Sequence, residues 1–356
     1  MNSLLKKIAQ HYQNSLPFVV YRKPNKKEVY GIFMQDDVLT YTGNFNEEGF
    51  VFAPFSSKQK AILFPVENAL CISEVLKLEN EKVAKKTHTS INNNKEKHIA
   101  IVEKAIAQIK NTPLQKVVIS REEIIQLSHF DILEIYKNLL VSYANAFVYV
   151  WYHPKIGLWF GATPETLLFT EENSFKTMSL AGTQVYKPNT AANKTVWKSK
   201  ELEEQQLVTD FIGSQLKDIA KNLSIDKTET VRAGDLLHLK TKVTGVLNEN
   251  ANLEVLIRAL HPTPAVCGLP RDLARDFIVN NESYQRTFYT GFLGELNLKK
   301  SDSLAKSSQL FVNLRCMHVQ NKQAFLFVGG GITKDSVAKK EWEETVSKAL
   351  TMKRVL

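Results

Sequence analysis

Residues 323–348 read QAFLFVGGGITKDSVAKKEWEETVSK, in which an apolar segment passes through three consecutive glycines into a charged helical segment. The run Gly329–Gly331 predicts a turn whose backbone N–H groups suit an anion. In the helix that follows, Glu341, Glu344 and Lys348 are three and four residues apart, so they share one stripe over roughly two turns of about 3.6 residues. The stretch therefore predicts an anion site beside a pair of helical carboxylates.

A second pair of carboxylates with the same spacing lies far upstream. Glu201 and Glu204 are three residues apart on another predicted helix, at about 196–221. Neither pair contains cysteine or histidine, so the donors suit a hard cation that prefers oxygen, such as Mg²⁺. A cation and an anion site side by side indicate a substrate that carries carboxylates and is bound partly through metal.

Length and composition limit the classes of protein to which the chain can belong. The chain has 356 residues, 44% of them hydrophobic, which is enough for a large buried core. Its three cysteines are not closely spaced and predict neither a disulfide framework nor a zinc site. The start of the chain lacks the pattern of a signal peptide, and no segment approaches the roughly 20 apolar residues of a spanning helix. We therefore expect a cytoplasmic protein that does not bind membranes.

The net charge of +9 admits nucleic acid, an acidic membrane or a small anionic substrate as the partner. The basic residues are scattered, except for an Asn/Lys-rich tract at 82–97, which we interpret as a solvated linker. Aromatic residues are not interleaved with basic ones, as stacking platforms for single strands require. The alternative of a nucleic-acid-binding protein rests on the charge and this tract alone, and we expect no nucleic-acid partner.

Hydrophobic patterning predicts an α+β fold: a single large domain, 1–356, of packed, mostly antiparallel β-sheets with helices on the outside. Within it we expect a β-rich N-terminal part at 1–80, a polar loop or linker at 81–97 and a catalytic part at 98–356. The predicted strands are 18–21, 29–34, 50–54, 60–64, 116–120, 146–151, 157–160, 167–170, 175–180, 287–296, 310–320 and 323–328. The predicted helices are about 96–110, 131–143, 196–221, 251–259, 270–280 and 336–352.

Two residues are candidates for acid–base chemistry. Lys116 opens the strand KVVISR at 116–121, where alternation places it on the same face as Val118 and Ser120. It is either a lysine that snorkels at a strand end or, if buried near other cations, a general base with a lowered pKa. Glu165 follows a Gly-Ala-Thr-Pro turn and is either an exposed turn glutamate or a general acid with a raised pKa in a partly dry cleft.

Three further segments suggest ligand contacts. Gly182 and Thr183 end a strand in SLAGT, where the small residues permit close approach of a ligand to the backbone, although a structural turn is equally compatible. His261 opens HPTPAVCGLP, a loop made rigid by its prolines, and is either a donor to an anion or a core histidine. Arg315, in a predicted strand, suits a carboxylate, and Tyr289 could add a polar contact.

Taken together, these motifs resemble those of the chorismate-utilising enzymes. The resemblance covers about 98–352, and the motifs occur in the expected order. They are KVVISR (116–121), FGATPETLL (160–168), SLAGT (179–183), SKELEEQQLV (199–208), HPTPAVCGLP (261–270), LFVNLRC (310–316) and GGGIT followed by EWEET. Residues 1–80 match in general character only.

The resemblance implies a site for chorismate. Mg²⁺ would bridge the ring carboxylate of the substrate to Glu204 and Glu344, with Glu201 and Glu341 as outer or water-mediated ligands. The residues implied to line the substrate are Arg315, Tyr289, Gly329, Lys348, His261, Gly182 and Thr183. It also implies a monomer that needs no glutaminase subunit.

The reaction expected within the family depends on a few positions. Lysine at 116 resembles members that add water at ring C2, whereas ammonia-using members carry glutamine there, and Ala181 disfavours attack through an enzyme amine. The implied activity is isochorismate synthase: Lys116 deprotonates water, and Glu165 protonates the departing C4 hydroxyl. The alternatives are a salicylate synthase, which goes on to eliminate pyruvate, an anthranilate synthase component I and a non-catalytic relative. Isochorismate supplies menaquinone, siderophore and salicylate synthesis, and the sequence does not choose among these pathways.

This chain departs from the family pattern at two positions near the implied site. Gln205 stands where related enzymes often have histidine, beside the metal glutamate, and Thr290 replaces a smaller residue before Gly291. Neither change removes a proposed catalytic group, but the first could alter the affinity or geometry of the metal site.

Overall fold

A computed structural model of the chain describes residues 3–76, 88, 90–91, 94–186, 195–233, 236–299 and 305–356. The described helices are α1 (Ser3–Gln13), α2 (Lys95–Asn111), α3 (Ile132–Ser142), α4 (Ser199–Leu216), α5 (Leu253–Leu260), α6 (Arg271–Asn281) and α7 (Ala338–Lys353). None of them is long and apolar enough to cross a membrane.

The described strands number nineteen. They are β1 (Phe18–Arg22), β2 (Glu28–Met34), β3 (Thr40–Thr42), β4 (Gly49–Ala53), β5 (Ala61–Pro65), β6 (Ala69–Val75), β7 (Lys116–Gln126), β8 (Phe147–His153), β9 (Gly157–Thr163), β10 (Thr166–Glu171), β11 (Ser174–Val185), β12 (Ala220–Ile225), β13 (Glu229–Ala233), β14 (Leu236–Leu247), β15 (Gly268–Leu269), β16 (Phe292–Lys299), β17 (Lys306–Val312), β18 (Cys316–Gln320) and β19 (Gln323–Ile332).

These strands form two antiparallel sheets. The first has the order β15-β7-β19-β18-β9-β8-β1-β2-β6, and the second has the order β12-β14-β11-β10-β17-β16-β4-β5-β3, with β13 paired to β14. The N-terminal strands are divided between the sheets: β1, β2 and β6 join the first, and β3 to β5 join the second. The β-rich N-terminal part therefore completes both sheets of one domain.

The sheets pack face to face over an aromatic core. Large side chains from both sheets fill this layer, among them Phe52 and Phe64 from the second sheet and Trp151 and Phe147 from the first. Phe64 stacks on Trp151 with ring centroids 5.1 Å apart, and Phe147 stacks on Phe311 at 4.2 Å. Burying aromatic rings of this size is a dominant source of stability.

Helices cover the outer faces of both sheets. Helices α1 and α3 pack on the first sheet in one cluster, α2 and α6 pack against β7 in another, and α4 and α5 cover the second sheet. The predicted α+β architecture, with mostly antiparallel sheets and helices outside, is confirmed.

The glycine run was predicted as a turn, and this prediction was wrong. Gly329–Gly331 lie inside β19 and pair with Val118, Ile119 and Ser120 of β7. A Cβ atom added at Gly331 would lie 2.2 Å from the carboxylate oxygen Oε1 of Glu204. These glycines therefore continue the strand and leave space in front of an acidic side chain, instead of forming an anion-binding turn.

Other boundaries also differ from the predictions. The predicted strand 310–320 is interrupted at Asn313–Arg315, strand β16 begins only at Phe292, and helix α4 ends at Leu216. Helix α1 and strands β3, β6 and β12 to β15 were not predicted. The polar linker lies mostly outside the described residues, and its last residues, Lys95–Lys97, begin α2.

Candidate active site

One polar cavity collects most of the predicted site residues. It contains about 550 Å³ of atom-free space, part of it open to solvent, and it lies where strands of both sheets meet helices α4 and α7. Its walls include Val118, Glu165, Gly182, Thr183, Glu204, His238, Val266, Tyr289, Thr290, Arg315, Gly329, Gly331 and Lys348.

Lys116 lies at the start of β7, behind the wall of this cavity. The alternation along β7 is as predicted: Val117 and Ile119 pack with α2 and α6, while Val118 borders the cavity. The side chain of Lys116 is completely buried, and its Nζ lies 2.9 Å from Oε1 of Glu204. Because an uncompensated buried ammonium would be very costly, this ion pair is required for Lys116 to stay charged there.

Glu165 occupies the link between β9 and β10 and borders the cavity directly. Its side chain is buried, and burial raises the pKa of Glu165 to about 8, although the positive charges of Arg315 and Lys116 act in the opposite direction. A carboxyl group with this pKa is mostly protonated at neutral pH. Glu165 can therefore donate a proton, which is the property required of a general acid.

Arg315 reaches the cavity from the interruption between β17 and β18. Its φ is +46°, in the left-handed region that non-glycine residues rarely adopt. Two backbone hydrogen bonds hold this segment. The amide of Ala162 donates to the carbonyl oxygen of Arg315 at 3.0 Å, and the amide of Thr290 donates to the carbonyl oxygen of Asn313 at 3.0 Å. A strained backbone at a cavity wall is typical of functional sites.

Tyr289 joins the cavity to the aromatic core. Its ring stacks on Phe327 at 5.5 Å, and a Cβ atom added at Gly329 would lie 3.1 Å from its hydroxyl. Burial raises the pKa of Tyr289, so its hydroxyl stays protonated and can donate a hydrogen bond to a substrate carboxylate.

Helix α7 supplies two of the four predicted metal carboxylates. Lys348 donates to Oε1 of Glu344 at 2.6 Å and to the carbonyl of Gly329 at 2.9 Å. Glu341 is buried and accepts a hydrogen bond from Nζ of Lys200 on α4 at 2.5 Å. Glu341 and Glu344 both lie beside Gly330, within 3.6 Å of a Cβ atom built there.

The carboxylates fit a divalent cation by their chemistry. Glu204, Glu341 and Glu344 offer only oxygen donors, as Mg²⁺ prefers, but each is ion-paired with a different lysine. As the side chains lie, no group of three acidic, histidine or cysteine residues within the described ranges is arranged to ligate one ion. Metal binding would therefore require these carboxylates to exchange lysine partners for the ion.

Glu201 differs from the other three carboxylates in its partner, which is a backbone amide and not a lysine side chain. Its Oε2 accepts a hydrogen bond from the backbone amide of Lys198 at 3.1 Å, which caps the first turn of α4. The Cβ of Glu201 lies 3.1 Å from the Cβ that a side chain at Gly182 would place, and Gly182 has φ +65°. Glycine at 182 therefore satisfies both the left-handed backbone and the close approach of α4.

His238, on β14, borders the cavity and was missed from the sequence. Its Nδ1 lies 3.0 Å from the carbonyl oxygen of Gly182, which can only accept, so Nδ1 carries the hydrogen. Burial, reinforced by Arg315 and Lys348, lowers the pKa of His238 to about 3, so the ring is neutral. Its Nε2 makes no hydrogen bond within the described structure and can accept one from a substrate hydroxyl. The segment 222–250 had been left unassigned, so the histidine had no predicted strand to place it.

His261, by contrast, is not brought to this cavity. Its ring packs edge-on against Phe292 at 5.0 Å and borders a neighbouring cavity lined by Phe45 and Pro54. Burial lowers the pKa of His261 to about 4, so the ring is neutral. The other end of the same loop, at Ala265 and Val266, does reach the polar cavity. The loop therefore contributes to the site through its backbone and small side chains.

A buried ion pair fixes the loop to β7. Arg286 uses both carboxylate oxygens of Glu282, at 2.8 and 2.6 Å, and donates to the carbonyls of Val266 at 2.8 Å and Val118 at 2.7 Å. Glu282 also accepts from the amide and hydroxyl of Ser120. Two walls of the cavity are thus held together by one guanidinium group.

The two departures from the family pattern have distinct surroundings. Gln205 points away from the acids: it accepts from the amide of Ala181 at 2.9 Å and donates to the hydroxyls of Ser179 and Thr241. Thr290 has φ +61° and borders the cavity, and Arg286 donates to its hydroxyl at 3.3 Å.

Comparison with known proteins places this geometry in a family. Residues 57–356 match the family described as chorismate binding enzyme. Isochorismate synthase DhbC of Bacillus subtilis (strain 168) is 29% identical over 203 residues, 55% of this chain and 50% of that protein. Isochorismate synthase MenF of Haemophilus influenzae is 27% identical over 270 residues, 74% of this chain and 61% of that protein. The match spans about half the length of the relatives from Bacillus subtilis and Escherichia coli.

Solved structures share the fold over nearly the whole chain. The structure of DhbC from Bacillus anthracis superposes with a TM-score of 0.81 at 24% identity, covering 99% of each chain. The structure of MenF, the menaquinone-specific isochorismate synthase from Escherichia coli, gives a TM-score of 0.78 at 21% identity, covering 96% of this chain and 88% of that chain. With the family match over most of its length, this chain belongs to the chorismate-binding enzymes.

Proposed function

We propose that this chain is a Mg²⁺-dependent isochorismate synthase, which adds water at C2 of chorismate and removes the C4 hydroxyl. The observation on which the proposal rests is the buried carboxyl group of Glu165, which lines the same cavity as Arg315 and as Glu204, the ion-pair partner of Lys116. The names of the relatives support the same reaction.

The proposed reaction divides proton transfer between two residues. In its reactive form Lys116 is a neutral amine, without the proton that Glu204 stabilises in the ion pair. It takes a proton from water, and the resulting hydroxide forms the new C–O bond at C2 as the double bond shifts. Glu165 gives its proton to the departing C4 hydroxyl, which leaves as water. One water enters and one leaves, so the reaction is an isomerisation and needs neither an oxidant nor an ammonia donor.

The remaining residues bind and orient the substrate. Arg315 and Tyr289 suit the enolpyruvyl carboxylate, because one carries a charge and the other a hydroxyl donor. The Nε2 atom of His238 can accept a hydrogen bond from a ring hydroxyl. Glu204 and Glu344, with Glu341 nearby, would hold the Mg²⁺, which would orient the ring carboxylate and offset its charge. We propose chorismate as the partner and expect no glutaminase subunit and a monomeric enzyme.

The test is product analysis. Purified protein incubated with chorismate and Mg²⁺ should form isochorismate, detected by chromatography, and a chelator should abolish its formation. Lys116→Ala should reduce turnover at least about 100-fold, the contribution typical of a general base. Near-normal turnover in this variant would reject the role of Lys116.

The same incubation separates the alternatives within the family. Release of pyruvate together with fluorescent salicylate would identify a salicylate synthase. Formation of anthranilate from ammonia would contradict the use of Lys116 to activate water. If chorismate is unchanged under all of these conditions, the proposed function fails.

A further inference from the structure

Helices α4 and α7 present acidic side chains to each other, and three lysines neutralise them. Glu204 is paired with Lys116 at 2.9 Å, and Glu344 is paired with Lys348 at 2.6 Å. The third pair joins Glu341 to Lys200 at 2.5 Å. Three negative and three positive charges thus balance within this cluster.

The three lysines differ in what else holds them. Lys116 extends from β7 and is completely buried, while Lys348 lies on the same helix as its partner and also donates to the carbonyl of Gly329. Lys200 instead connects α4 to α7, and its side chain is 26% exposed. It is therefore the lysine that can swing into solvent at the smallest cost in packing and hydrogen bonds.

Lys200 also interacts electrostatically with all three carboxylates. Burial lowers the pKa of Lys200, but Glu341, Glu204 and Glu344 more than offset that effect, and the pKa lies above its usual value. The ammonium group of Lys200 therefore brings to Glu341, and at longer range to Glu204 and Glu344, a positive charge of the kind that a divalent cation would supply.

We infer that Lys200 is a built-in counter-cation, which holds the acidic helices α4 and α7 together in the metal-free protein and competes with the divalent cation for Glu341. This inference rests on the proposed Mg²⁺ site. Without a positive charge between the helices, the carboxylates of α4 and α7 would repel each other. When the cation binds, the ammonium of Lys200 becomes a like charge close to it and must move away.

The inference predicts opposite effects of Lys200→Met on the two states. Thermal unfolding without metal should occur at a lower temperature than in the unaltered protein, because the link between the helices is lost. Binding of Mg²⁺, measured by titration calorimetry without substrate, should become tighter by about tenfold, which corresponds to roughly 1.4 kcal/mol. A residue that merely stabilised the fold, or that helped to ligate the metal, would not tighten metal binding.

Two variants control the experiment. Lys200→Arg keeps the charge and should bind Mg²⁺ with nearly unaltered affinity. Lys217→Met removes the same charge from an exposed position at the opposite end of α4 and should change neither the affinity nor the unfolding temperature.

The outcomes distinguish this inference from the proposed function. Unchanged or weaker Mg²⁺ binding in Lys200→Met, or no Mg²⁺ binding by the unaltered protein, would overturn the role of Lys200. Formation of isochorismate together with that result would leave the proposed activity intact. Tighter binding in Lys200→Met by a protein that makes no isochorismate would support the role of Lys200 and reject the proposed activity.

Discussion

The aromatic core and the polar cavity adjoin each other at Tyr289, yet they are built in opposite ways. The core is filled by rings such as those of Phe52 and Trp151, which are completely buried and need only to be apolar and of the right size. Next to the cavity, the charged side chain of Lys116 is buried against Glu204, and Thr290 and Arg315 in the cavity wall have left-handed backbone conformations. Both features cost free energy, which the rest of the fold must offset.

This difference separates stability from function within one domain. In the core, removing a side chain should weaken the fold. In the cavity, removing a side chain should mainly reduce turnover. Where burial of a charged group lowers the free energy of unfolding, removing that group can even stabilise the protein. The following predictions test whether the two regions can be separated in this way.

The largest expected effect concerns turnover. Glu165→Gln keeps the size of the side chain but cannot give up a proton to the departing hydroxyl, so turnover should fall about 100- to 10,000-fold. In the unaltered enzyme, turnover should also decline as the pH rises through about 8, because Glu165 then loses its proton. Product formation from chorismate, followed by chromatography across this pH range, measures both effects.

An exposed glutamate on α4 supplies the control for this prediction. Glu203→Gln removes the same charge from a side chain that does not border the cavity, and its turnover should be unaltered. Near-normal turnover in Glu165→Gln would remove this residue from the mechanism and would weaken the contrast between cavity and core.

The second effect concerns the core. Phe52 is completely buried, stacks on Phe288 at 4.3 Å and packs against Trp151 at 4.8 Å. Phe52→Ala should lower the free energy of unfolding by about 3 to 5 kcal/mol, measured by urea denaturation, because it leaves a cavity. Val279→Ala, at a side chain that is 69% exposed, should change it by less than about 0.5 kcal/mol. If Phe52→Ala lowered the free energy of unfolding by no more than Val279→Ala does, the core would not be tightly packed.

The smallest effect is a gain in stability inside the cavity. In the folded protein the pKa of Glu165 is about 8, above its ordinary value of 4.5. The contribution of neutral Glu165 to the free energy of unfolding is therefore fully present below about pH 4.5. It is lost as the pH rises through about 8, because the buried carboxyl group then becomes charged. Glu165→Gln remains neutral and avoids this loss. Its free energy of unfolding should equal that of the unaltered protein near pH 4 and exceed it by about 2 to 4 kcal/mol at pH 9.

Urea denaturation of both proteins at the two pH values measures this difference. Glu203→Gln should show no gain at pH 9, because its side chain is exposed in the folded state. Equal stability of Glu165→Gln and the unaltered protein at pH 9 would mean that burial does not penalise the charged carboxylate.

Local patterns in the sequence were sufficient for much of the fold and part of the site. Alternation along 116–121 correctly separated the face of Val117 and Ile119 from that of Lys116, because the period of two is a property of any extended chain. The offsets of three and four on α7 likewise placed Glu341 and Glu344 side by side. The ordered motifs indicated the family, which the match over residues 57–356 confirms.

Other features depended on partners distant in the chain. Glycines usually indicate a turn, but pairing with β7 keeps Gly329–Gly331 in a strand, and no local pattern reports such a partner. No local pattern predicted the positions of two histidines either: His261 borders a separate cavity, and the ring of His238 is oriented by the carbonyl oxygen of Gly182. The sequence by itself determined which carboxyl and amine side chains the chain offers for the proposed acid–base chemistry and cation site. Only the tertiary structure decided that each clustered acid meets a lysine, because charges on separate elements become neighbours only when long-range packing brings those elements together.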